Sequence, residues 1–191
     1  MYKLFQTDNG SRGSLAEVWI DEEANLVKKY YKPSGITITG KEPYHTDIEE
    51  IKECYLREVF WTNKYPDFTL KIFDHGALEN GEGFYIIQEY GGPDLVHEIF
   101  NDKTITIAEI ENFSDQVLEM FNQYKEQNMY KLNNALCNMV YDRNTKTVKT
   151  FDFKYARERH AQYRHLEIYS VTEWISKIDP VLPKKIINIL V

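Results

Sequence analysis

The chain has 191 residues, 42% of them hydrophobic, and a formal net charge of −7. Such a length allows one sizeable domain or two small lobes, and the apolar content supports a buried core, which excludes global disorder. The acidic balance excludes a general nucleic-acid or membrane-surface binder, while leaving room for a local basic patch.

In chain order, YKLF and EVWI are predicted as two short strands flanking the turn TDNGSRGSLA, and NLVKKYY as a third after the acidic turn DEEA. KPSGITITGKEPYHT reads as loop. DIEEIKECYLREVFWTNKY reads as a helix, because Ile48, Ile51, Tyr55 and Glu58 recur near helical spacing. LKIFDHGAL and GFYIIQEY are two more strands across the turn ENGEG. GGPDL then breaks the pattern, and the natural boundary falls near Gly91 and Gly92. In the second half, Thr106 and Glu109 fit a capping box for a helix that buries Ile110, Phe113, Val117, Phe121 and Tyr124. KLNNALCNMVYDRNTKTVKTFDFKYA reads as loop, strand, the tight turn DRNTKT, and strand. RHLEIYSVTEWISKI and PVLPKKIINILV are predicted as closing helices.

Cys54 and Cys137 form no CxxC pair and have no zinc spacing. Both are read as free thiols, which suggests a reducing compartment. The start MYKLFQTDNG lacks a signal peptide's basic-then-apolar layout. No apolar run approaches ~18 residues. The expectation is a cytoplasmic protein with no membrane partner.

Five short stretches carry candidate chemistry. SRGSLAEV offers Ser11, Gly13, Ala16 and Val18 in a turn whose small residues let backbone N–H groups approach an anion. LVKK offers Lys28 and Lys29, which point to opposite faces of a strand. Glu58 lies on the apolar side of its helix, where a carboxylate needs a cation. FYIIQEYGGPDL carries Gln88, Glu89 and Gly91. Asn138 and Asp152 stand at the two ends of the predicted hairpin, an amide and a carboxylate that suit Mg²⁺ and phosphate. Read singly, these are a hairpin turn, a surface lysine, a helix glutamate, a buried strand and a loop.

Their order and spacing together resemble the protein-kinase fold, over about residues 2–178. The resemblance implies an α+β, two-lobed domain spanning 1–191. Its N-lobe, at about 1–90, would be a small antiparallel sheet plus one helix. A hinge at about 89–93 would lead to a reduced, mainly helical C-lobe at about 94–191. It also implies ATP and Mg²⁺ as cofactors. Gly13, Ala16 and Val18 would cover the phosphates, although only one of the three glycines of GxGxxG is kept. One of Lys28 and Lys29 would bind phosphate and pair with Glu58. An overlay on the VAIK motif favours Lys29, but Lys28 is the preferred reading. Gln88 would be the gatekeeper, with the Glu89 and Gly91 backbone on the adenine edge. Asn138 and Asp152 would be the metal ligands.

Departures from the kinase pattern decide the expected activity. Asn133 stands where HRDxxxxN keeps its catalytic aspartate, with Lys131 and Leu132 in place of His and Arg. An amide orients a hydroxyl but does not accept its proton near pH 7. Lys154 replaces the glycine of DFG, and a lysine there could sit near phosphate. Only fifteen positions separate Asp152 from Glu167, and no APE-like segment intervenes. This short plan is similar to the RIO group and to the compact kinase of the KEOPS tRNA-modification complex. The leading expectation is a pseudokinase that acts through nucleotide and protein-partner binding. A divergent active kinase, with a protein or small-molecule acceptor, and a structural partner without nucleotide are the alternatives. Residues 143–165 are basic: Arg143, Lys146, Lys149, Lys154, Arg157, Arg159 and Arg164 face only Asp152 and Glu158, so an acidic partner is also expected there. His160 and His165 lack a third metal ligand nearby.

Overall fold

The structure is a computed structural model that describes residues 1–4, 16–33, 47–92, 96, 99, 104–131, 138–160 and 164–190. Gly13 and Ser11, the loop around 34–46, Asn133 and Cys137 lie outside the described residues. The chain is α+β and divides into two compact units. Unit 1 is Met1–Pro66 with Leu70–Tyr90, and unit 2 is Asp67–Thr69 with Gly91–Val191.

Unit 1 is an antiparallel sheet of β1 (Lys3–Leu4), β2 (Ala16–Asp21), β3 (Leu26–Tyr31), β4 (Ile72–Ala77) and β5 (Phe84–Glu89), in the order β1-β2-β3-β5-β4. Helix α1 (Ile48–Lys64) starts at Asp47, whose side chain accepts the Glu49 N–H at 2.9 Å. Glu49 and Glu50 in its first turn and Lys64 in its last complement the helix dipole. The alternation of β3 buries Val27, Lys29 and Tyr31. Ile51, Tyr55 and Val59 of α1 pack with Tyr31 and Ile86 as one core cluster. Tyr55 stacks on Phe84 at 4.7 Å, and its hydroxyl meets His75 Nδ1 at 2.7 Å. The β4–β5 turn needs Gly83, because a Cβ there would sit 2.2 Å from the Tyr31 carbonyl oxygen.

Unit 2 is built on α2 (Ile107–Glu126), which buries Phe113, Val117, Met120, Phe121 and Tyr124. Met120 adds to the expected stripe, and Ile110 is only half-buried. The capping box forms: the Glu109 N–H donates to Thr106 Oγ1 at 3.2 Å and the Thr106 N–H donates to Glu109 Oε2 at 2.8 Å. Strands β7 (Met139–Asp142) and β8 (Thr147–Thr150) make a hairpin, while β6 (Met129–Tyr130) pairs with β9 (Arg157–Glu158). One side chain pins the hairpin to α2. Gln116 donates to the Lys146 carbonyl at 2.7 Å and accepts the Val148 N–H at 2.9 Å. Helices α3 (Arg164–Ile175) and α4 (Leu182–Leu190) follow, and α4 packs on α2 with Leu182, Ile186 and Leu190 buried.

The two units divide at Tyr90/Gly91, with a single exception. Asp67–Thr69 belongs to unit 2, because the Thr150 N–H donates to the Phe68 carbonyl at 2.7 Å and Thr69 bridges Thr150 in parallel.

Glu109 also accepts from Arg143 Nε at 3.0 Å. That hydrogen bond, followed by those from Thr106, lowers the Glu109 carboxyl from 4.5 to about 2. A carboxyl depressed on folding adds stability above its ordinary value, and that stability is lost as pH falls through the folded value. Thermal melts of the wild type and Glu109→Gln should therefore differ most above pH 4.5 and converge toward pH 2. A gap that stays constant over that range would refute the pairing.

Candidate functional site

In unit 1 the site begins with the pleat of β3. Lys29 lies opposite Val18 on β2 and Ile86 on β5, on the sheet face that α1 covers. The same register puts Ala16, Val27 and Gln88 on that face. Glu58 sits seven residues after Ile51 and three after Tyr55, within the buried stripe of α1. Lys29 Nζ donates to Glu58 Oε1 at 2.9 Å, with the two side chains 9% and 0% exposed. Full burial of an ion is tolerated only when it is paired.

The preference for Lys28 is therefore corrected: the lysine that meets Glu58 is Lys29. Lys28 projects from the opposite face of β3, where its Nζ lies 4.3 Å from the Tyr2 ring centroid. There it lines a shallow cavity of about 310 Å³ with Tyr30, Asp74, Tyr85 and Ile87. Strand alternation separates the two lysines, but only the docking of α1 decides which face is covered.

Gln88 is 2% exposed. The Glu89 N–H donates to the Lys71 carbonyl at 2.8 Å, and the Glu89 carboxylate accepts the Lys71 N–H at 3.3 Å. The N–H of Glu89 is thus spent inside unit 1. Gly91 and Gly92 have φ of +75° and +93°, a left-handed backbone that glycine adopts without steric cost.

In unit 2 the β7–β8 hairpin brings Asn138 and Asp152 to its open end. The Asn138 carbonyl accepts the Phe151 N–H at 3.0 Å and the Thr150 hydroxyl at 3.2 Å. Asn138 is buried. Asp152 has φ of +68°, and a non-glycine residue in this region needs support from its surroundings. Lys154 supplies it. Its Nζ lies 2.8 Å from Oδ1 and 2.9 Å from Oδ2 of Asp152, with both side chains largely covered. Asn138 and Asp152 offer oxygen donors of the type magnesium takes. Both Asp152 oxygens also accept from the Lys154 ammonium.

Lys131, marked in the sequence only as standing in place of the histidine of HRD, is 1% exposed. Its Nζ donates to Thr150 Oγ1 at 2.6 Å and lies 4.9 Å from the Phe153 ring centroid. No periodic signal marks it, because it lies on no helix and its partners are distant in the chain.

The basic run 143–165 is not one open patch. Arg143 binds Glu109 and Thr104, Lys149 donates to the Asp67 carbonyl at 3.2 Å, and Lys154 binds Asp152. Arg159 reaches the Met129 carbonyl at 3.5 Å. Lys146 and Arg157 are exposed. Cys54 is buried. Among the described residues, no group of three or more His, Cys, Asp or Glu is placed to hold a metal, and no helix is long and apolar enough to cross a membrane.

Comparison of the chain with models of protein families and with curated proteins finds no match.

Removing one partner of a buried ion pair strands the other charge and costs about 3–5 kcal/mol. Lys29→Met should lose that much in urea denaturation, because Glu58 has no exposed surface. Lys29→Met combined with Glu58→Leu should recover most of it. Equal losses in the single and double variants would show that the pair is not what the residues contribute.

Proposed function

We propose that the chain is a protein-kinase-like, nucleotide-binding protein that works by binding rather than by phosphotransfer, in the manner of a pseudokinase. The observation that carries the reading is the Lys29–Glu58 pair. A strand lysine held by a helix glutamate, on the same sheet face as Val18 and Gln88, is the arrangement that kinases use to present a cation to ATP phosphates. Two buried charges form a costly feature for a fold to keep without a use for it. Asn138 and Asp152, brought to one end of a hairpin in unit 2, support the same reading.

Asn133 argues for binding over catalysis. Without a general base, proton transfer from an acceptor hydroxyl loses about 10²–10⁴-fold in rate. The output is then a change in what the chain binds when nucleotide is present, with a protein partner as the receiver. The exposed Lys146 and Arg157 are the part of the basic run best placed to meet an acidic partner.

ATP should raise the melting temperature. A ligand that binds only the folded chain adds about 2.7 kcal/mol at a hundredfold excess over Kd. The wild type should transfer no phosphoryl group to itself or to a generic acceptor, and Asn133→Asp should create or greatly raise that activity. Absence of any shift at millimolar ATP would sink the nucleotide-binding reading. Robust transfer by the wild type would make the chain an active kinase instead.

A further inference from the structure

Asp152 is the residue on which a metal-dependent site would turn, and its carboxylate is already bridged by Lys154. We infer that Lys154 is the resident cation of this site, replacing the divalent ion, so that nucleotide phosphate is bound without magnesium. The inference rests on the nucleotide-binding reading above and adds the ionic form of the ligand.

Three observations carry it. The lysine spans both oxygens, at 2.8 and 2.9 Å, so a divalent ion taking either oxygen would have to share it with the ammonium. A divalent ion sharing the site with an ammonium would meet like-charge repulsion in a place that water screens poorly, since the two side chains are only 10% and 15% exposed.

The lysine is also held by the fold. Phe153, between the two residues, is fully buried and packs edge-on to Tyr124 at 6.4 Å. The Ala156 N–H closes back on the Phe153 carbonyl at 2.8 Å. With Asp152 at positive φ, that turn brings Lys154 back over the carboxylate, 5.6 Å from the Tyr155 ring centroid.

Third, the chemistry suits phosphate. An ammonium is a compact point charge with rotatable donors, a recognised phosphate binder, and Asp152 orients it. In this arrangement Asp152 is a positioning residue for Lys154 and not a metal ligand.

The test is calorimetric titration of the full chain with ATP, in EDTA and in excess magnesium. The wild type, Asp152→Asn and Lys154→Met are compared. The expected result is equal wild-type affinity in the two buffers. Asp152→Asn, which leaves the ammonium unoriented, should weaken ATP binding to the same extent in EDTA and in magnesium. Lys154→Met should weaken binding in EDTA by about tenfold or more, the equivalent of a charge-assisted hydrogen bond. Binding that requires magnesium and is lost in Asp152→Asn would overturn the inference and leave the nucleotide-binding reading intact. So would unchanged affinity of Lys154→Met in EDTA. Absence of binding in both buffers would overturn the reading and the inference together. Should Lys154→Met fail to fold, the wild type still decides, because the metal scheme predicts binding only in magnesium and the lysine scheme predicts equal binding in both buffers.

Discussion

The Glu58 carboxylate has no exposed surface, and Lys29 Nζ sits 2.9 Å from it. Everything in unit 1 is arranged around that necessity. A carboxylate in the buried stripe of α1 is tolerable only with a cation on the facing strand. The pleat of β3 puts Lys29 on the covered face and Lys28 on the other, and a slip of β3 by one residue would turn Val27 and Tyr31 out of the core. The apolar cluster of Tyr31, Ile51, Tyr55, Val59 and Ile86 supplies the adhesion between sheet and helix. The ion pair supplies their alignment.

Unit 2 obeys the same rule with different groups. Thr150 has no exposed surface, yet its N–H, hydroxyl proton and hydroxyl oxygen are all engaged, with Phe68, Asn138 and Lys131. That one residue fixes the open end of the hairpin, where Asn138 and Asp152 emerge. Gln116 and Arg143 fix the closed end onto α2. Each buried polar atom is a constraint, since leaving it unmade costs more than making it gains. The site is positioned by such constraints at both ends of a short two-stranded ribbon.

The two units therefore treat charge alike. In each, a lysine is kept out of bulk water and held by a carboxylate: Lys29 by Glu58, and Lys154 by Asp152. An ammonium held this way is fixed in direction, which on the proposed reading lowers the reorganisation needed to receive an anion.

Much of the local structure follows from the residues alone. Thr106 and Glu109 specify their capping box because both partners lie within one helical turn, and the turn DRNTKT specifies its hairpin. Helical spacing placed Glu58 on the buried side of α1, and from that came the need for a cation. Which lysine answered was settled elsewhere. Alternation puts Lys28 and Lys29 on opposite faces, but the covered face is chosen by a helix whose contact with β3 spans twenty-nine residues of chain. The basic run 143–165 has the same limit: counting charges does not show that Arg143 is bound by Glu109, thirty-four residues away, or that Lys154 turns back on Asp152. Periodicity and caps are short-range properties that a sequence writes directly. The pairing of buried charges depends on which surfaces meet and exclude water, and only the tertiary structure decides that.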